Sequence, residues 1–400
     1  MGPMKVADRA HVPPFAVMQI IAAANARRAA GADVLNLAAG EPATGASDVV
    51  LRRAVDQLGR GGLGYTEATG TPALRDALAS HYQRHYGVAV DPARIAVTTG
   101  SSGGFLLAFL AAFGAGDRVA LARPGYPAYA NILVALGCDV VDLPCGPATR
   151  FQPTVEMLDE AHAREPLDGL VVASPANPTG TMLGPGELAA LAHWCADHGV
   201  RLVSDEIYHG ITYTPVAGRT AAEHAGTGAV VVNSFSKYWA MTGWRLGWLV
   251  LPEDLAGPVD ALAGNLALCP PALAQHAALA ALTPEGMAAA RENVARYAQC
   301  RSLLLARLPE LGWADVAPPD GAFYLYADVS ASGLDSVTWC ARLLDEAGVA
   351  LTPGTDFDPA GGHRYVRLSF ASSPEVVGAA VDRIVAWQAS LDRSPDPTLG

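Results

Sequence analysis

Apolar and polar positions along the chain fall into two alternating rhythms. Short runs dense in Val, Ile and Leu, namely "RIAVTTG", "DRVALARP", "CDVVDLP", "DGLVVASP", "VRLVSDE", "AVVVNSF" and "RLGWLVL", read as strands. Between several of them lie Ala- and Leu-rich stretches with helical spacing. In "TPALRDALASHY", Thr71 is placed to cap a helix and Pro72 to take its first turn, while "GPGELAALAHWCADHG" is closed by Gly199. Strands that are apolar throughout and alternate with helices predict an α/β fold. Its large domain has a mostly parallel seven-stranded sheet covered by helices on both faces. Beyond Pro284 the rhythm changes. A long helical stretch, "AAARENVARYAQCRSLLLARL", is joined by "GAFYLYADV", "GVALTP" and "YVRLSFA", which predicts a smaller α+β domain. The expected division is an N-terminal segment, 1–45, packing with the small domain, a large domain over 46–284 and a small C-terminal domain over 285–400.

Polar residues gather where the strands stop. Thr99-Gly100-Ser101-Ser102, Arg123-Pro124-Gly125-Tyr126, Ser174-Pro175-Ala176-Asn177, Ser204-Asp205-Glu206 and Ser234-Phe235-Ser236-Lys237 each follow the last apolar residue of a strand. Ligands of open α/β sheets sit outside the carboxyl ends of the strands, so these five ends describe one polar site.

Composition narrows the classes of function. A chain of 400 residues, 51% hydrophobic, can bury the cores of two domains. Its net charge of -12 and its 16% of charged residues argue against an electrostatic grip on nucleic acid. The longest apolar run, Phe105 to Phe113, is too short to span a bilayer, and "MGPMKVADRAHVPPF" has no apolar signal core. The expectation is therefore a cytoplasmic protein without a membrane partner. Cysteines at 138, 145, 195, 269, 300 and 340 form no C-x-x-C pair and no zinc spacing, which suits buried thiols, a reducing compartment and no metal. The last residues, "RSPDPTLG", read as a frayed tail.

Several motifs admit two readings when taken singly. The turn Gly100-Ser101-Ser102-Gly103-Gly104 fits G-x-S-x-G, the nucleophile elbow of serine hydrolases, with Ser102 as nucleophile. It equally fits a cup of N–H groups and hydroxyls that holds phosphate at a helix N-terminus. The hydrolase reading needs a downstream acid and histidine, and His363 in "PAGGHRY" is the nearest match, although it follows no strand. "GAGDRVALARPG" precedes a strand instead of following one, so it fails as a dinucleotide fingerprint. Lys237 is either a surface lysine or, given its apolar approach and flanking aromatics, a desolvated amine able to form a Schiff base. Asp205 is either the cap of its turn or a carboxylate facing a cationic ring nitrogen, and Tyr208 follows it by three. Arg245 between two tryptophans either stacks or binds an oxyanion. Asn177 reads as a turn residue, Arg367 as an edge-strand charge and Tyr65 as a loop aromatic until they are taken together.

Together these positions resemble the pyridoxal-phosphate aminotransferases of fold type I, the class that includes aspartate and alanine aminotransferases. The match runs from "VLNLAAGEP" to "YVRLSFA", with "SPANPTG", "SDEIYHG" and "SFSKYWAMTGWRLG" in the family's order and at its usual spacing. The resemblance implies pyridoxal 5'-phosphate as cofactor and Lys237 as the Schiff-base lysine and proton shuttle. It implies that Asp205 pairs with the ring nitrogen, that Asn177 and Tyr208 bond the phenolic oxygen, and that Tyr126 stacks on the ring. Ser102, the Gly103 N–H, Ser234, Ser236 and Arg245 are the implied phosphate ligands, which makes the turn a phosphate cup and Ser102 a ligand. Tyr65 resembles the tyrosine that reaches the partner subunit's phosphate, so the implied assembly is a homodimer with Tyr65 acting in trans. Arg367, helped by the backbone at Gly40, is the implied clamp for the substrate α-carboxylate. The implied reaction is a ping-pong transfer of an amino group from an L-amino acid to a 2-oxo acid.

The chain departs from this pattern in ways that bear on substrate. Many bacterial aspartate aminotransferases of this type carry a lysine in the phosphate-cup turn that meets the distal carboxylate, whereas "GSSGG" has none. "VPPFAVM" brings Phe15 to the side-chain pocket where such relatives have small hydroxyl residues. The expectation is a small neutral donor, alanine or valine, over aspartate, with pyruvate or 2-oxoglutarate as partner. Arg27, Arg28 and Arg219 stay open as replacements for the lysine. An aspartate aminotransferase and a β-lyase on the same scaffold are the alternatives, since elimination and cyclisation enzymes share it. Regulators built on this fold carry an added DNA-binding domain, for which the chain has no room.

Overall fold

The computed structural model describes residues 4–213 and 218–391; the expected frayed tail lies outside them. A helix α1 (Ala16–Ala29) and a two-residue strand β1 (Leu35–Asn36) open the fold. Seven strands follow: β2 (Ile95–Thr98), β3 (Arg118–Arg123), β4 (Asp139–Pro144), β5 (Gly169–Ala173), β6 (Arg201–Asp205), β7 (Val230–Ser234) and β8 (Gly247–Val250). They form one sheet in the order β2-β8-β7-β6-β5-β3-β4, parallel except that β8 runs antiparallel to both neighbours. These are the seven strands expected from the apolar runs.

Side chains alternate across a strand, so a sheet buried on both faces sends successive apolar residues to opposite cores. Leu170 and Val172 join one hydrophobic cluster and Val171 between them joins the other. Val231 and Val232 divide in the same way. The edge strand β4 is the exception, with only Leu143 buried. The helix Gly100–Ala112 packs Phe105 and Phe109 into the second cluster. Pro72 takes the first helical turn as expected, and Gly199 closes the Pro185–Asp197 helix at φ +68°. The Thr71 hydroxyl makes no cap bond; instead the Thr71 N–H donates to Gln275 Oε1 at 2.8 Å.

The C-terminal part adds β9 (Tyr324–Asp328), β10 (Val349–Ala350), β11 (Thr352–Pro353) and β12 (Tyr365–Ser369). β12 lies between β11 and β9 in an antiparallel three-stranded sheet. The N-terminal segment is threaded into this region. β1 pairs parallel with β10, and Ser369 N donates to Leu37 O at 2.8 Å. No helix among the described residues is long and apolar enough to cross a membrane.

Candidate active site

Parallel strands deliver their carboxyl ends to one edge of the sheet, and antiparallel β8 delivers its beginning there. Ser102, Tyr126, Asn177, Asp205 and Lys237, which end or follow strands, therefore meet Arg245, which precedes one. All six line a cavity of about 320 Å³, with Gly40, Tyr208, Ser236 and Arg367. The polar strand ends read from the sequence are one site.

Lys237 Nζ donates to the Gly40 carbonyl at 2.6 Å. Burial lowers its pKa to about 8, so far more of it is neutral amine at physiological pH than in a surface lysine. Asp205 is buried, and one carboxylate oxygen accepts from Ile207 N at 3.0 Å while the other accepts from the Tyr129 hydroxyl. Asp205 caps its own turn and also borders the cavity. Burial pushes its pKa up to about 6, and a cationic ring nitrogen beside it would reverse that shift. The Tyr208 and Tyr324 hydroxyls stand 2.6 Å apart.

Arg367 is a buried residue on the central strand of its sheet, not the edge-strand charge that its sequence context allows. Its guanidinium donates to Asn177 Oδ1 at 2.8 Å, to Ala38 O at 2.6 Å and to Thr352 Oγ1 at 3.3 Å. It lies between the rings of Tyr324 and Phe357, 4.6 and 4.7 Å from their centroids. Arg367 Nε is buried with no partner. A buried donor without an acceptor costs roughly 1–3 kcal/mol, which a carboxylate bound at the clamp would recover.

At the other end of the cavity, Ser102 and Arg245 are exposed to it beside the N-terminus of the Gly100–Ala112 helix. Gly100 has φ +70°, and a Cβ built on it stands 2.9 Å from Arg245 Cζ. The cradle is thus shaped around an arginine by a residue without a side chain. Serine hydroxyls, helix N–H groups and one guanidinium form a donor set for a phosphate dianion. With the amine of Lys237 and the carboxylate of Asp205 on the same cavity, the residues present fit pyridoxal phosphate.

Four expected site residues lie elsewhere. Ser234 is fully buried, and its hydroxyl donates to Ser236 Oγ at 2.7 Å and accepts from Ser236 N at 2.9 Å, so it holds the turn that carries Ser236. Gly103 sits within the first turns of its helix, off the cavity wall. Phe15 stacks on Tyr126 with centroids 6.0 Å apart, and Val17, Met18 and Ile21 of α1 form the wall in its place. Tyr65 is 85% exposed and does not reach the cavity of its own chain.

Sequence reasoning missed Tyr129 and Tyr324. Tyr129 is one helical turn after Tyr126, the spacing that signals a shared face. Tyr324 sits two residues before Tyr326 in an apolar strand, and nothing local separates it from core. No histidine lines the cavity among the described residues, and His363 is exposed and bonds Ala360 O. Ser102 therefore has no histidine to complete the triad that the hydrolase reading needs.

Comparison with known proteins agrees with this geometry. The profile of the family described as aminotransferase class I and II matches residues 32–384. A valine–pyruvate aminotransferase of Mycobacterium tuberculosis is 55% identical over 383 residues, 96% of this chain and 98% of that protein. An aspartate/prephenate aminotransferase of Thermus thermophilus is 37% identical over 92% of this chain and 95% of its own. The crystal structure of an aminotransferase from Mycobacterium tuberculosis superposes with a TM-score of 0.94 at 54% identity, covering 97% of this chain and all of that one. A buried lysine of lowered pKa that lines one cavity with Ser102, Arg245 and Arg367 fits such a family, and the chain belongs to it: it is a pyridoxal-phosphate-dependent aminotransferase of class I and II.

Proposed function

We propose that the enzyme takes the amino group of a small or branched neutral L-amino acid, valine or alanine, and passes it to pyruvate or a similar 2-oxo acid. The observation that carries this reading is the apolar part of the cavity lining, made of Val17, Met18, Ile21 and Ile207. A distal carboxylate there would lose its hydration and gain no cationic partner from this chain. The three arginines left open from sequence are engaged elsewhere. Arg27 pairs with Asp345, Arg28 donates to Val34 O at 2.9 Å, and Arg219 faces Glu223 at 3.5 Å. The name of the 55% identical relative supports the same donor and acceptor.

Pyridoxal phosphate supplies a reactive aldehyde and an electron-accepting ring. The residues divide the remaining work. Lys237 would hold the cofactor at its aldehyde, and its amine, once free, would serve as general base toward the substrate Cα proton. Asp205, kept aimed by Tyr129 and Ile207 N, would keep the ring nitrogen protonated. Asn177 and Tyr208 would bond the phenolic oxygen, and Tyr126 would cover the ring face. Ser102, Ser236 and Arg245 would retain the phosphate, and Ser234 braces Ser236. Arg367 clamps the α-carboxylate, which aligns the Cα–H bond, and the backbone at Gly40 aligns Lys237.

The assembly we propose is a homodimer in which Tyr65 enters the partner's cradle. Its 85% exposure, with Val55, Leu58 and Leu268 each more than half exposed, supports this. We also propose that segment 1–45 moves with the body 285–400 against the body 46–284, a division supported by the β1–β10 pairing. Six free cysteines, five of them buried, support residence in the cytoplasm.

The test is conversion of the bound cofactor to its amino form by single L-amino acids without an oxo acid, followed by absorbance. Valine and alanine convert it, while kcat/KM for aspartate is lower by about a hundredfold or more, the discrimination an unpaired buried charge produces. Equal values for aspartate and valine would overturn the reading.

A further inference from the structure

The first turn of α1 has no side-chain cap of its own. Met18 N donates to Phe15 O at 3.2 Å, but the Phe15 side chain carries no acceptor for Ala16 N and Val17 N, and the first turn has no acidic residue. The acceptor comes from the far end of the chain. Asp356 Oδ1 accepts from Ala16 N at 3.0 Å and Asp356 Oδ2 faces Val17 N at 3.4 Å. A carboxylate at a helix N-terminus also meets the positive end of the helix dipole. The opposite end of α1 is tied to the same body, where Arg27 pairs with Asp345 and donates to Leu344 O at 3.5 Å.

Asp356 ends the short turn Gly354–Asp356, directly after β11. Thr352 of β11 accepts a bond from Arg367, and Phe357, next to Asp356, lies under the Arg367 guanidinium. One stretch of six residues, 352–357, therefore supports the carboxylate clamp with two side chains and holds α1 with a third. Val17, whose N–H faces Asp356, is itself on the cavity wall. The separation between the clamp and the apolar wall is referenced to a single turn.

We propose that Asp356 is a specificity-determining positioning residue that sets the depth of the side-chain pocket by fixing the N-terminus of α1 to the turn supporting Arg367. This rests on the reading of the donor as a small or branched neutral amino acid. A branched side chain reaches the wall and depends on its placement, whereas a methyl group does not.

The experiment uses the holoenzyme and two variants, Asp356→Ala and Asp356→Asn. Loss of the cap in Asp356→Ala lowers the valine-to-alanine ratio of kcat/KM roughly five- to tenfold, through KM for valine. Asp356→Asn keeps an acceptor at the same place and retains most of the ratio. Calorimetric binding of unreactive carboxylates gives a second readout. The dissociation constant of 3-methylbutanoate rises in Asp356→Ala, and that of acetate, which occupies only the clamp, stays. An unchanged ratio in Asp356→Ala, or equal losses for both amino acids and both carboxylates, would overturn the proposal. If wild type itself shows no preference for valine over aspartate, the donor reading fails, and the two carboxylates still decide the role of Asp356.

Discussion

Gly100→Ala is the sharpest probe of the phosphate cradle. Two costs add at this position. The backbone has φ +70°, where an L side chain costs roughly 1–2 kcal/mol. The new methyl would also stand 2.9 Å from Arg245 Cζ, so the guanidinium must swing away while its bond to Thr242 O, now 2.9 Å, is strained or lost. The first cost falls on folding and appears as a lower urea midpoint of the cofactor-free protein. The second falls on cofactor binding. Losing one charge-assisted hydrogen bond costs about 1.5–3 kcal/mol, a rise of roughly ten- to a hundredfold in the dissociation constant for pyridoxal phosphate. Equilibrium dialysis against free cofactor measures it, and a double-mutant cycle with Arg245→Ala assigns it. In the Arg245→Ala background the Gly100→Ala effect on affinity shrinks to a small remainder. If Gly100→Ala binds cofactor as tightly as wild type, or costs the same with and without Arg245, the cradle is not built as argued.

Two further outcomes follow from the buried charges. Tyr129→Phe removes a donor that favours the ionised form of Asp205, whose pKa burial already raises to about 6. In the cofactor-free protein its carboxyl then rises further, so more of it must be ionised on binding a cationic ring nitrogen, and affinity for pyridoxal phosphate at neutral pH falls about five- to tenfold; an unchanged affinity counts against it. In the cofactor-free protein, Lys237 titrates near 8 when folded and in the ordinary lysine range when unfolded. The unfolded chain holds more protons across that interval, so stability rises with pH there. Lys237→Met removes the rise and stabilises the protein at neutral pH, and parallel pH slopes for the two proteins in urea unfolding would refute it.

What the chain disclosed in advance follows from range. Each of the seven strands of the main sheet announces itself within a handful of residues by β-branched content, and the rule that ligands gather at strand ends then places Ser102, Tyr126, Asn177, Asp205 and Lys237 together. Contacts that depend on distant partners were not legible. Phe15 is off the cavity wall, and α1 presents Val17, Met18 and Ile21 instead, with its ends held by Asp356 and Asp345 from the far end of the sequence. Ser234 and Ser236 look equivalent in "SFSK", and only the hydrogen bond between them shows that one is brace and the other wall. Thr71 has the composition of a cap, yet its hydroxyl makes no cap bond, and its N–H is held by Gln275, some two hundred residues on, a contact that nothing local announces.

The pairing of β1 with β10 also has a temporal side. Leu35 and Asn36 find their partners, Val349 and Ala350, only after about 310 more residues have left the ribosome. At about 5–20 residues per second, that is on the order of 15–60 s. Throughout that interval Val34, Leu37 and Ala38, all buried in the finished protein, have nothing to pack against. The parallel sheet can assemble earlier, since its last strand ends at Val250. The nascent chain thus carries a formed lysine-bearing half with a sticky, waiting N-terminal segment, and Ala38 O cannot meet Arg367 while Gly40 O meets Lys237 until synthesis is nearly over. Chaperone demand during translation should fall on that segment.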